Sequence, residues 1–184
     1  MNIRKSIFAI GAAVCLLAVA GGISPVFAGN GYVDPEPFID LGGEDDLNLE
    51  ISISGALLKM ISAGLAGADE DLADTVAGLH SIHAVILTMD TEAKRLRGQE
   101  LVRSTEKQLR RGAWDRIARV NDDEGNLSVW ILGTEETVDG VTVLIRGKED
   151  GELVFVNIDG IIDLSKLEEL GKTLDIPGLD HLQD

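Results

Sequence analysis

The chain has 184 residues, 32 acidic against 16 basic side chains, and a formal net charge of −16 at pH 7. A surface of that sign repels phosphate backbones, which excludes nucleic acid as a main partner. The single cysteine, Cys15, lies in an N-terminal apolar segment. A chain that has lost this segment therefore has no disulfide, no zinc–thiolate site and no cysteine nucleophile.

Residues 1–28 predict a secretory signal peptide. Two basic residues precede an apolar segment over residues 7–20, and Val26 and Ala28 stand where a signal peptidase reads small or neutral side chains. The apolar segment is shorter than the roughly 18 to 20 residues that a membrane span needs. We expect cleavage after Ala28, a periplasmic or secreted protein, and no transmembrane anchor after cleavage.

The next segment, residues 29–46, is rich in glycine, proline and acid and has no periodicity, which predicts an extended, partly disordered lead-in. The folded domain is expected over residues 47–176, followed by a tail over residues 177–184.

From residue 47 the sequence has the periods of regular secondary structure. LNLEISIS alternates apolar and polar residues, which indicates a strand with one buried face that ends at Gly55. ALLKMISAGLA and ADEDLADTVAGLHS follow with helical spacing, and acids open the second of these helices, as suits the positive end of a helix dipole. SIHAVILTMD predicts a second strand.

A long amphipathic helix is predicted over residues 91–112. Its inward face recurs about every fourth residue, at Ala93, Leu96 or Arg97, Leu101, Thr105 and Leu109. Residues 92–119 contain nine basic and four acidic residues, so this part of an acidic chain is basic.

The remainder predicts a strand meander and a last helix. WDRIARV, LSVWILG, VTVLIRG and ELVFVNI are strand-like, and their connectors place Asp or Glu next to Gly, as tight hairpins require. A last helix is expected over about residues 163–174. The order strand, two helices, strand, helix, four strands, helix indicates one α+β domain, with a mainly antiparallel sheet packed with helices.

Two stretches share a strand–glycine–helix pattern, ISISGALL and VNIDGIID. We expect Gly55 and Gly160 at sharp turns from strand to helix, where little steric room is left. In this interpretation Asp163, or a following S-x-x-E capping box, caps the final helix, and Asp159 bonds free backbone amides.

The order of these runs, from the strand ending in SISGALL through the basic helix to GAWDRIARV, SVWILG and GVTVLIRGKEDGELVFVNIDGIIDLSKLEEL, resembles an exported bacterial family known as domain of unknown function 4252. The resemblance covers roughly residues 40–174. It implies an exported accessory domain without established activity, and it supplies no catalytic residues.

Motifs of known enzymes and metal sites are missing from the sequence. No nucleophile, zincin or phosphate-loop signature occurs, and NDDEGN lacks the spacing of an EF-hand loop. His80 and His83 resemble a metal pair, but one lies at a helix end and the other in a strand, so we predict no metal site and no cofactor. Asp159 and Asp163 would do acid–base work only if burial raised the pKa of one of them.

The basic helix is the predicted contact surface. The candidate residues for an anion or a partner are Arg97, Arg103, Lys107, Arg110 and Arg111. Their partner would be an envelope protein or an anionic lipid or polysaccharide; the alternative is that they offset acid within the same fold.

Both faces of the predicted strands are apolar: Trp130 and Leu132 alternate with Val129 and Ile131. A solvated sheet face would be polar. We expect helices to cover both faces; the alternative is burial of one face against a ligand or another molecule, including a homodimer.

These observations favour an exported accessory domain that acts by binding in the bacterial cell envelope and is not an enzyme. One alternative is a small-molecule or lipid-binding module that uses an apolar sheet face with the basic helix at its rim. Another is a hydrolase that works through carboxylates.

The export hypothesis makes a direct prediction. N-terminal sequencing of the protein recovered from the cell envelope should give Gly29 as the first residue, or a residue within one or two positions of it. A chain that keeps the apolar segment would contradict the prediction.

Overall fold

The fold is described from a computed structural model, which covers residues 31–123, 125–134, 137–148 and 151–163. These residues form four helices and six strands. The helices are α1 (Glu36–Asp46), α2 (Gly55–Leu65), α3 (Glu70–Ala77) and α4 (Glu92–Arg111). The strands are β1 (Leu47–Ser54), β2 (Leu79–Thr88), β3 (Asp115–Asn121), β4 (Gly125–Gly133), β5 (Thr137–Gly147) and β6 (Glu152–Asp163).

The strands form one six-stranded sheet in the order β1-β2-β6-β5-β4-β3, and every pair is antiparallel. The predicted α+β class is therefore confirmed. The last strand lies in the middle of the sheet, between the second and the fifth. The predicted final helix, residues 163–174, begins where β6 ends, and its other residues lie outside the described part of the chain.

One face of the sheet carries α2 and α3. Leu58 of α2 and Val76 of α3 are buried with Ile51, Ile53 and Ile82 of the first two strands. Helix α2 packs on β1 and β2, and α3 packs on α2. Asp69 caps α3, because its carboxylate accepts a hydrogen bond from the backbone N–H of Leu72 at 2.9 Å.

The opposite face carries α1 and α4. Phe38, Leu109, Trp130, Leu153 and Phe155 are at the centre of its apolar core. Thr91 caps α4, because its side-chain hydroxyl accepts a hydrogen bond from the backbone N–H of Lys94 at 3.3 Å. Each face of the sheet thus carries two of the described helices.

The inward face of α4 differs in part from the prediction. Thr105 and Leu109 are buried as expected, but Leu96 is 58% exposed and Gly98 is buried in its place. The reason is the helical period of 3.6, which brings Gly98 onto the same side as Leu109 and turns Leu96 to solvent.

Helix α1 corrects the prediction of an extended lead-in. The ring of Phe38 is buried and stacks on the ring of Phe155, with centroids 4.3 Å apart and planes 19° apart. Asp46, at the end of α1, forms an ion pair with Lys94 of α4. Burial of one aromatic ring thus orders a segment whose glycine and proline content indicated disorder.

Gly55 and Gly160 occupy different structures. Gly55 is the first residue of α2, directly after β1. Gly160 is not at a strand-to-helix turn, because β6 continues to Asp163 and Ile161 donates its backbone N–H to the carbonyl of Gly78 at 2.9 Å. A Cβ atom at Gly160, where φ is 143°, would lie 2.4 Å from the Cα of Leu79, so the close contact with β2 requires glycine.

On the face that carries α2 and α3, strands β4, β5 and β6 present nine branched apolar side chains in register. We call them the apolar grid: Leu127, Val129, Ile131, Val141, Val143, Ile145, Val154, Val156 and Ile158. Val154 and Val156 are buried and the other seven are half-buried. The basic helix α4 lies on the other face, so it does not border this apolar surface as the ligand-module alternative required.

The packing of α1 gives a stability prediction. Phe38→Ala should lower the free energy of unfolding by about 3 to 5 kcal/mol, because it removes a buried aromatic ring and leaves a cavity against Phe155. Urea denaturation followed by circular dichroism measures the change. The control Leu96→Ala, at an exposed helical position, should change it by less than about 0.5 kcal/mol; equal effects would show that α1 is not part of the core.

Candidate functional site

A cleft of about 290 Å³ lies between α4 and the end of the sheet formed by β3, β4 and β5. It is lined by Gln99, Val102, Arg103, Glu106, Arg119, Val120, Asn121, Asn126, Leu127, Ser128, Leu144, Arg146 and Lys148. Four of these side chains are cationic and one is a carboxylate. We call this surface the basic cleft.

Strand register brings the floor of the basic cleft together. Asn121 pairs with Asn126, which pairs with Arg146, so these three side chains form one row across three strands. Arg119, Ser128 and Leu144 form the next row. Alternate residues of a strand share a face, so both rows point to the side of the sheet that α4 covers.

Hydrogen bonds hold the first row in place. The Arg146 guanidinium donates to the side-chain oxygen of Asn126, and the Asn126 amide donates to Asn121 at 2.6 Å. The Lys148 ammonium donates to the backbone carbonyl of Asp122. Cations held by neutral acceptors keep their full charge, so these contacts position positive charge without cancelling it.

Arg103 and Arg119 are exposed at the rim, and neither forms an ion pair with a carboxylate of the described residues. A planar guanidinium matches the geometry of a phosphate or carboxylate and can donate two parallel hydrogen bonds to it. The basic cleft therefore has the donors for an anionic group.

Two further arginines lie next to the basic cleft, where they pack against the ring of Trp130. The guanidinium carbons of Arg116 and Arg110 lie 5.3 and 6.0 Å from its ring centroid, within the range of cation–π attraction. The indole N–H donates to the hydroxyl of Ser128 at 3.1 Å, which links this ring to the floor of the basic cleft.

A second polar cluster lies on the same face, where residues 31–33 cross β6. Asn157 accepts a hydrogen bond from the backbone N–H of Val33 at 3.0 Å and donates to the carbonyl of Gly31 at 2.9 Å. The buried carboxylate of Asp159 accepts from the N–H of Gly31 at 3.1 Å. A Cβ atom at Gly31 would lie 2.1 Å from the carbonyl oxygen of Asp139, so only glycine permits this approach.

Two histidines border this polar cluster. His83 is buried, and its Nδ1 lies 3.2 Å from the hydroxyl of Ser52, while its Nε2 has no hydrogen-bond partner among the described residues. Burial lowers the pKa of His83 from its usual range, and the carboxylates of Asp159, Asp34 and Glu50 oppose that shift. Tyr32 packs edge-on against the imidazole, with centroids 5.5 Å apart.

Comparison with known proteins gives the family. The profile of the domain of unknown function DUF4252 matches residues 43–170, which is more than half of the chain. The chain belongs to the DUF4252 family. The resemblance drawn from the order of strands, turns and the basic helix is thereby confirmed.

Other comparisons add little to the family assignment. No curated protein matches the chain. Among solved structures, cyanobacterial PsbP (CyanoP) from Synechocystis sp. PCC 6803 aligns at 10% sequence identity with a TM-score of 0.27, over 87% of this chain and 94% of that one. A TM-score of that size carries no inference for the DUF4252 domain.

The structure separates the five predicted contact residues of the DUF4252 domain. Arg103 lines the basic cleft, and Arg110 packs near Trp130. Arg97, Lys107 and Arg111 are exposed on α4 and are not among the cleft residues. Sequence reasoning missed Arg119, Arg146 and Lys148, because their place depends on which strands pair and in which register.

The histidines and the acidic turn have separate environments. His80 lies 3.8 Å from Asp159, whereas His83 contacts Ser52, and no group of three His, Cys, Asp or Glu side chains suited to a metal occurs in the described ranges. In the β3–β4 turn, Asp122 accepts from the N–H of Gly125 at 3.0 Å, which is the geometry of a hairpin. Asp163 ends β6, and its side chain lies outside the described residues.

No described helix of the DUF4252 domain is both long and apolar enough to cross a membrane.

His83 gives a pH prediction. Its pKa in the folded state lies below its unfolded value of about 6.5, so the unfolded chain binds more protons once the pH falls below that value. Its contribution to folding is therefore lost as the pH falls from about 6.5 toward the folded pKa. His83→Gln should flatten the fall in unfolding free energy between about pH 7.5 and 5.5, measured by urea denaturation. Identical slopes for the variant and the native chain would contradict this assignment.

Proposed function

We propose that this DUF4252 domain is an exported binding domain of the cell envelope, and that its basic cleft receives an anionic group, phosphate or carboxylate, of an envelope component. The proposal rests on one observation. In a chain of net charge −16, one cation each from α4, β3 and β5, together with Lys148 directly after β5, converge on a single cleft of about 290 Å³.

The arrangement favours binding over catalysis. Arg103 and Arg119 supply exposed donors at the rim. The guanidinium of Arg146 is held on the floor of the cleft by its hydrogen bond to Asn126. Glu106 is the one carboxylate among the described lining residues, so acid–base chemistry by a carboxylate pair has no second member there. A charged cleft of this form attracts anions from solution and orients them.

The surrounding acid contributes to selectivity. The net negative charge of the chain repels anions at long range, whereas the four cations of the basic cleft attract them locally, so an anionic partner is favoured at the cleft. Because the attraction is electrostatic and the rim is exposed, it weakens as added salt shortens the Debye length.

The test compares two triple variants with the same change in charge. Arg103→Gln, Arg119→Gln and Lys148→Gln together remove charge from the basic cleft. Arg97→Gln, Lys107→Gln and Arg111→Gln remove the same charge from the exposed side of α4. Binding to vesicles of phosphatidylglycerol and phosphatidylcholine is measured by co-sedimentation, with free phosphate as competitor.

The first triple variant should bind the anionic vesicles on the order of 100-fold more weakly, because each basic residue near such a surface contributes about 1 kcal/mol. The second should retain most of the binding. Equal losses would show that total charge, not the basic cleft, is responsible. If the unmodified protein binds neither the vesicles nor phosphate, the proposal is wrong.

A further inference from the structure

The apolar grid is a second surface that could bind another part of the chain or another molecule, because its side chains are apolar and partly exposed to solvent. Seven of its nine side chains are half-buried Val, Ile or Leu residues on three adjacent strands. The helices on this face, α2 and α3, pack on β1, on β2 and on each other. A contiguous apolar surface of this kind is stabilised by a cover that removes it from water.

The chain itself provides a segment in the right place. Strand β6 ends at Asp163, beside Thr137 of β5, and the chain continues to residue 184. The DUF4252 match extends to residue 170, beyond the end of β6, so the segment that follows this strand belongs to the domain.

The sequence of this segment has one apolar side. Leu164, Leu167, Leu170 and Leu174 recur at intervals of three or four residues. At about 100° per residue they share one side of a helix, while Ser165, Glu169 and Lys172 fall on the other.

The dimensions of segment and surface agree. A helix over residues 164–174 would be about 16 Å long. The grid extends about 13 Å along its strands and about 10 Å across them. We propose that residues 164–174 dock on the apolar grid as an amphipathic helix, with their leucines against Val129, Val143 and Ile145.

This occupant is favoured over a second copy of the chain. The segment is joined to β6 at the edge of the grid, so its effective concentration is far above that of a separate molecule. Two copies with a net charge of −16 each would also repel one another on approach.

Disulfide trapping tests the docking. In the full chain with Cys15→Ser, Val143→Cys is combined with Leu167→Cys or with Leu170→Cys, and the matched control combines it with Glu169→Cys. After mild oxidation at low protein concentration, at least one leucine-position pair should form an intramolecular disulfide, seen as a faster monomer band without reductant. The Glu169 pair should stay reduced.

Each other outcome overturns the proposal. Crosslinked dimers would assign the grid to a second copy, and equal oxidation of the Glu169 pair would show that no defined side faces the sheet. Failure of both leucine pairs to oxidise would show that the segment is elsewhere.

A second measurement needs no cysteines. Leu167→Glu with Leu170→Glu should uncover the grid and raise the fluorescence of bound anilinonaphthalene sulfonate several-fold while far-ultraviolet circular dichroism retains the sheet signal. Glu169→Gln should leave the dye signal unchanged. No rise in the double variant would overturn the docking.

Discussion

Pairing of β6 between β2 and β5 is the interaction on which the rest of the sheet depends. The first two strands and the meander of β3, β4 and β5 are separate units along the chain, and β6 joins them. Its side chains enter both cores, since Leu153 and Phe155 face α1 and α4 while Val154 and Val156 face α2 and α3. Neither unit closes its core before the last strand is in place, so we expect folding to depend on these long-range pairs.

The pairing of β3, β4 and β5 determines where positive charge is concentrated. Arg119, Arg146 and Lys148 are distant from Arg103 in sequence, yet antiparallel register brings all four to one end of the sheet. Glu106 is the one carboxylate among the described residues that line the cleft. Concentration of positive charge in one cleft costs less in a chain that is acidic elsewhere, because the opposite charges attract at longer range.

Local patterns in the sequence predicted most of the fold. The alternation in residues 47–54 and the turn residues of the meander predicted strands that the structure contains, and the spacing around Thr105 and Leu109 predicted α4.

Helix α1 was missed because its residues are poor helix formers, and its order comes from the contact of Phe38 with Phe155, a distant residue. The prediction of a strand-to-helix turn at Gly160 was wrong for a related reason. The sequence pattern indicates a backbone conformation that favours glycine, but the close contact with β2 places that conformation inside a strand. Of the four cations in the basic cleft, only Arg103 was predicted as a contact residue. The other three depend on the register between paired strands, which the sequence of a single strand does not determine.

Apart from Leu127, which belongs to both sets, the basic cleft and the apolar grid lie on opposite faces of β4 and β5. Ser128, Leu144 and Arg146 face the cleft, while Val129, Val143 and Ile145 face the grid. Both sets of side chains extend from the same backbone, so packing against the grid would restrain the backbone that positions the cleft side chains. Arg146 is held by Asn126 within its own row, so a shift of β4 against β5 would move donor and acceptor apart. The proposed docking of residues 164–174 on the grid would therefore contribute to the preorganisation of the cleft through the shared backbone of β4 and β5.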